Sequence, residues 1–183
     1  MRIRYPLITM APMLVLATGL SGASASLSAT EQPARPACTI TGTGGPDRLQ
    51  GTDGPDVICA RAGNDHVFGK GGDDILLLGR GRDHFSGGGG TDRVIGGSGR
   101  DFGFGGGGND RIFLLRGADV AEDSRGTDVI VGGRGDDLMC VYDGRPAASK
   151  DRILGGPGPD YAGADIGDVV RSVEIEFYGG CWD

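Results

Sequence analysis

Gly87-Gly88-Gly89-Gly90-Thr91-Asp92-Arg93-Val94-Ile95 runs directly into Gly96-Gly97-Ser98-Gly99-Arg100-Asp101, so one nine-residue unit begins again inside the next. The frame extends outward in both directions. From Gly42 to Cys140, eleven consecutive units carry Gly at the fourth position and Asp at the sixth. The aspartates are Asp47, Asp56, Asp65, Asp74, Asp83, Asp92, Asp101, Asp110, Asp119, Asp128 and Asp137. Glycine is 38 of 183 residues, so two unbroken columns are not an accident of composition. A fixed period of this kind sets the architecture before local propensity does. The eighth position is mostly apolar, as in Leu49, Ile58, Val67, Leu76, Phe85, Val94, Ile112, Ile130 and Met139. A glycine-rich turn, one acid and one inward apolar residue per unit describe a metal-binding solenoid.

Each unit divides into a turn half and a strand of about three residues, such as Val57-Ile58-Cys59 or Arg111-Ile112-Phe113. Side chains alternate along a strand, so the middle residue enters the core and its neighbours face out. The turn half needs positive φ and close backbone approach, which glycine adopts at little cost. If two units close one coil, aspartates eighteen residues apart stack at the inter-strand spacing of about 4.8 Å. One column is then Asp47, Asp65, Asp83, Asp101, Asp119 and Asp137; the other is Asp56, Asp74, Asp92, Asp110 and Asp128. Carboxylates at that separation repel by about 1 kcal/mol in water and several-fold more at an effective dielectric near 20. A hard cation that accepts Asp oxygens and turn carbonyls resolves the conflict, which suits Ca²⁺ better than the strict octahedron of Mg²⁺.

The units Gly87–Ile95 and Gly96–Asp101 match the calcium-binding nonapeptide of the repeats-in-toxin (haemolysin-type) family. The chain resembles that family, and within it the small secreted calcium-binding proteins of actinobacterial type. The resemblance implies a right-handed parallel β-roll, an all-β fold with two nonapeptides per coil and Ca²⁺ in the turns between coils. Several units depart from the pattern. Ala60-Arg61, Leu78 and Leu114-Leu115 replace leading glycines, while Gly103 and Ala121 leave the inward position nearly empty. The unit Leu114–Glu122 departs furthest, which weakens the case for calcium near Asp119.

Composition agrees with a metal-dependent fold. The formal net charge is −7, and without Arg2 and Arg4 of the leader the remainder is two charges more negative. One small apolar residue in nine buries too little area to offset chain entropy, so metal binding has to contribute much of the folding free energy. An acidic chain without a basic stripe argues against nucleic acid as a partner.

Residues 1–25 read as an export signal: Arg2 and Arg4, the apolar stretch Leu7 to Leu20, and the cleavage site Ala23-Ser24-Ala25. That apolar run, interrupted by Pro12 and Gly19, is short for a membrane span. The chain is therefore expected to be secreted, into a calcium-rich compartment where thiols oxidise. Residues 26–41 form a leader segment and N-terminal cap, and residues 42–163 the repeat roll, with a phase break at 141–145. Two units resume after the break, with Asp151 and Asp160 in the acid place; Ser149 replaces a turn glycine and makes Asp151 the poorer ligand. Residues 164–183, with Phe177 and Trp182, are expected to cap the last coil.

Repeat phase sorts the four cysteines. Cys59 and Cys140 fall on opposite faces, four to five coils or about 20 Å apart, beyond disulfide reach. Cys38 to Cys140 fails for the same reason. That leaves Cys38–Cys59 and Cys140–Cys181, provided the first coil is irregular, since Cys38 holds a different place within its nine.

His66 and His84 share the seventh position of neighbouring coils and should stack as a surface ladder without a third metal ligand. Neighbouring residues such as Asp83, His84 and Ser86 point to different sides of a strand, so they make no catalytic relay, and an enzyme is not expected. The outward ninth positions Cys59, Leu77, Ile95, Phe113 and Val131 form an apolar stripe, to be covered by the chain's own tail or leader or by a partner. The reading is a secreted calcium-binding module, structural or calcium-responsive. The alternative is an adhesive or ligand-binding module that recruits a protein or glycan partner through the apolar face.

Overall fold

The structure is a computed structural model that describes residues 36–142, 150–165 and 167–178. These residues form two eight-stranded sheets in which successive strands of the chain alternate from one sheet to the other. All pairings are parallel and no described residue is helical. The chain is a β-roll with two nonapeptides per coil. One sheet aligns Ile58, Leu76, Val94, Ile112 and Ile130; the other aligns Leu49, Val67, Phe85, Gly103, Ala121 and Met139. Each step is eighteen residues. At the phase break Ile130 pairs with Ile153 and Met139 with Ala162, a step longer by five, as the sequence implied.

The strands are longer than three residues. Arg93–Ser98 and His84–Gly89 each run six residues, because parallel pairing resumes through the leading glycines, as in Gly79 with Gly97. The period of two then turns the first position of each unit inward, like the eighth. Leu78 and Leu114, departures from the glycine pattern, are for that reason fully buried core residues beside Leu76 and Ile112. Gly103 leaves no void either, because the ring of Phe85 packs where a side chain at Gly103 would stand. The interior is a continuous apolar column from Ile58 to Ala164, with Ile40 and Leu49 packed against it at one end.

At the second position positive φ is not confined to glycine, although Thr43, Thr52 and Ser124 avoid it. Arg61, Lys70 and Leu115 sit at φ 79°, 83° and 79°, so the fold imposes the left-handed turn on residues that disfavour it by about 1–2 kcal/mol each. At the fourth position, from Gly63 onward, a side chain would strike the backbone of the coil before. Gly99 has φ 128°, and a methyl group there would collide with the carbonyl oxygen of Gly81 in the coil before. Gly99→Ala is expected to destabilise the calcium-loaded fold by several kcal/mol, because strain and overlap act together. Urea unfolding in calcium checks this; a loss below about 1 kcal/mol would show that the coils can slide apart.

Cys38 and Cys59 form a disulfide with a Cα separation of 5.9 Å. Ile40 pairs with Ile58, so a partial coil precedes the first full unit, and Cys38 occupies the sixth position that aspartate holds elsewhere. Cys140 is also disulfide-bonded; its expected partner Cys181 lies outside the described residues, as do the leader 1–25 and Trp182. Val169–Arg171 and Ile175–Tyr178 add a last strand to each sheet.

Two surface features follow from the register. His66 and His84 stack with ring centroids 4.9 Å apart and 7° between planes, and Phe102 meets His84 edge-on. The apolar stripe aligns as expected, Cys59 to Leu77 to Ile95 to Phe113 to Val131. It is not a bare patch. Cys59 is buried, the other four are half-buried, and the Arg93 guanidinium lies over Phe113 at 5.4 Å from its ring centroid.

Candidate metal centre

The turn halves stack the sixth-position aspartates into two columns and bury all of them but Asp47, which is half-buried. In each column the backbone N–H of one aspartate donates to Oδ1 of the aspartate one coil on. On one side the bonds run Asp65 to Asp83 at 2.9 Å, Asp83 to Asp101 at 3.0 Å, Asp101 to Asp119 at 2.8 Å and Asp119 to Asp137 at 3.0 Å. On the other they run Asp56 to Asp74 at 2.8 Å, Asp74 to Asp92 at 2.9 Å and Asp92 to Asp110 at 2.8 Å. One oxygen of each carboxylate is thus held by backbone, which fixes its rotamer. The second oxygen is different. Oδ2 of Asp65, Asp74, Asp83, Asp92, Asp101, Asp110, Asp119, Asp137 and Asp160 is buried and accepts no hydrogen bond.

A buried carboxylate oxygen without a donor costs several kcal/mol unless a cation meets it. Burial accordingly pushes these groups up, to about 7 at Asp101 and about 6 at Asp92 and Asp119, and upward at Asp74, Asp83, Asp110, Asp137 and Asp160. The hydrogen bonds from backbone oppose the shift without cancelling it. The donor set is all oxygen, repeated at coil spacing and shut off from water, which fits a hard divalent cation.

The model of the RTX calcium-binding nonapeptide repeat matches residues 41–76, 68–103 and 104–139, more than half of the chain. The chain belongs to this family. Repeats of the RTX family bind Ca²⁺, and the orphaned Oδ2 atoms of this chain stand in that repeat at a fixed position. No curated protein matches the sequence.

The RTX columns are closed at their ends by the protein's own donors. Oδ2 of Asp47 accepts the Thr43 N–H at 2.6 Å and its hydroxyl at 3.0 Å. Oδ2 of Asp56 accepts the Thr52 N–H at 2.7 Å and its hydroxyl at 2.9 Å. Those bonds hold the Asp56 carboxyl below the usual carboxylate range. Asp47 and Asp56 therefore stand apart from the aspartates that follow. At the far end the columns run further than the nonapeptide frame shows. Asp128 donates to Asp151 at 2.7 Å and Asp151 to Asp168 at 3.0 Å, while Asp137 donates to Asp160 at 3.1 Å and Asp160 to Glu174 at 2.5 Å. Oδ2 of Asp168 then accepts the Asp165 N–H at 2.9 Å.

Asp119 is not set apart by its irregular unit: it is buried, bonded to Asp101 and orphaned at Oδ2 like its neighbours. Leu115 adopts the left-handed turn that glycine takes elsewhere, so the local geometry survives. Asp123, which the nonapeptide frame does not single out, is also buried with an orphaned Oδ2.

Proposed function

We propose that this chain is a secreted calcium-responsive structural module whose roll closes around Ca²⁺ ions held by Oδ2 of Asp65, Asp74, Asp83, Asp92, Asp101, Asp110, Asp119, Asp128, Asp137 and Asp160. The carrying observation is the row of buried, donorless Oδ2 atoms at coil spacing. The charged and apolar leader at residues 1–25 and the Cys38–Cys59 disulfide support export to an oxidising compartment. Among the described residues no helix is long and apolar enough to cross a membrane. The module binds and does not catalyse.

Asp47 and Asp56 are assigned to metal-free end coils, because threonine donors already satisfy them. Paired variants test this division by calcium titration followed by circular dichroism. Asp92→Asn should raise the calcium midpoint of folding at least tenfold, whereas Asp56→Asn should move it less than twofold. Equal shifts would defeat the assignment.

One observation favours a second reading, a ligand-binding module. A shallow depression of about 280 Å³ lies beside the aromatic ladder, lined by Arg82, His84, Arg100, Phe102 and Val120. Its two guanidinium groups suit an anionic group on a glycan or protein partner. Capture of such a partner that survives Arg82→Ser with Arg100→Ser would remove this reading.

A further inference from the structure

Asp123 stands at the first position of its unit, where the units before it carry Gly, Ala or Leu. That position faces the interior, and Asp123 is 6% exposed. Its carboxylate lies over Gly105, the first-position residue one coil earlier, where a side chain would collide with it. Oδ1 is engaged, accepting the Gly106 and Ser124 N–H groups at 2.9 Å each. Oδ2 is buried and accepts nothing, and the same holds for Oδ2 of Asp110.

One carboxylate oxygen each from Asp110, Asp123 and Asp128 lies within 4.8 Å of the other two. Oxygens on one Ca²⁺ at 2.3–2.6 Å stand up to about 5 Å apart, so a single ion can reach all three. An ordinary step of the column offers one aspartate from each of two coils. This step offers a third acid, in a buried place with no other compensation for its second oxygen.

We propose that Asp123 makes the step between Asp110 and Asp128 a three-carboxylate site, the tightest cation site of the roll. The proposal rests on the reading of the aspartate columns as calcium ligands and adds a residue that the repeat does not supply. Affinity in oxygen-donor sites rises with the count of charged ligands, so this ion should bind first. Its place, between the fourth and fifth coil of one column, makes it the point from which calcium-induced ordering spreads in both directions.

The test is a calcium-binding isotherm of the full chain in buffered free calcium, with Asp123→Asn and Asp123→Gly beside the native protein. Asn keeps an oxygen for the Gly106 and Ser124 N–H groups, and Gly restores the residue usual at this position. The native isotherm should open with one ion bound at least tenfold more tightly than the rest. Both variants should lose that step, keep the weaker binding and reach the native β spectrum in saturating calcium. In EDTA, Asp123→Asn should be more ordered than the native chain, because it removes a buried charge and keeps the hydrogen bonds. A first step that survives in Asp123→Asn, or several ions in one class that the variant leaves unchanged, would overturn this proposal alone. A native chain that binds no calcium would overturn the column reading with it.

Discussion

In EDTA at pH 8 the chain is expected to lose most of its β structure, and to regain it in millimolar Ca²⁺. Two opposing quantities set the balance. The interior is one apolar side chain at the eighth position of most units, with occasional help from Leu78, Leu114 and Val141 at the first. Such a narrow column does not offset about 1.5 kcal/mol of entropy per ordered residue by itself. Against it stand buried carboxylates with orphaned Oδ2 atoms, each adding a desolvation cost in the metal-free state. Each occupied site contributes about 2.7 kcal/mol when free calcium is a hundred times its dissociation constant. Several such sites exceed the whole stability of an ordinary domain, so the switch should be large and cooperative. Far-ultraviolet circular dichroism reads it, and a β spectrum unchanged by chelation would contradict it. Residual structure in EDTA should sit in the first coils, where Thr43, Thr52 and the Cys38–Cys59 disulfide replace the metal.

The second large effect is on pH dependence, and its sign is opposite to that of most carboxylate-rich proteins. Burial raises the metal-free folded carboxyls, to about 7 at Asp101, about 6 at Asp92 and Asp119, and about 8 at Asp123. The unfolded value is about 3.9. Between pH 4 and pH 8 the metal-free folded state therefore binds more protons than the unfolded one, and its stability falls as pH rises. That contribution is fully present below pH 4 and is lost progressively from there up to the folded values of about 6 to 8, above which both states are ionised. Calcium-loaded and unfolded chains both hold these groups ionised there, so calcium-loaded stability should stay flat from pH 8 to pH 6. Acidification in EDTA from pH 8 to pH 5 should raise the β signal, and the increment added by calcium should shrink. A metal-free chain that gains structure with rising pH would refute the burial of these groups.

Much of this architecture was legible in the sequence because a solenoid writes its register as a period. The eighteen-residue step, the inward eighth position, the two aspartate columns and the five-residue break all follow from counting. The Cys38–Cys59 disulfide was legible for the same reason, since phase places the two in neighbouring coils. Features that depend on backbone conformation inside the turn were not legible. Thr43 and Thr52 are visible at the second position of Gly42–Asp47 and Gly51–Asp56, but their role as donors requires a turn without the positive φ of later units. Asp168 and Glu174 complete the columns at steps of seventeen and fourteen residues, outside a strict nine-residue frame. Asp123 was hidden because the first position reads as turn glycine, whereas the strand Val120–Asp123 runs on through that position and carries it into the interior. The half-burial of Leu77, Ile95, Phe113 and Val131 depends on neighbours such as Arg93 that a single column of residues does not show.

Calcium is expected to occupy the buried Oδ2 positions of the columns. Anomalous scattering from crystals grown in calcium locates the ions directly. Peaks are expected about 2.3–2.6 Å from Oδ2 of the aspartates between Asp65 and Asp137, and none at Asp47 or Asp56. Ions held only by exposed carboxylates such as Asp53, Asp73 or Asp136, with the buried Oδ2 atoms left bare, would contradict this placement.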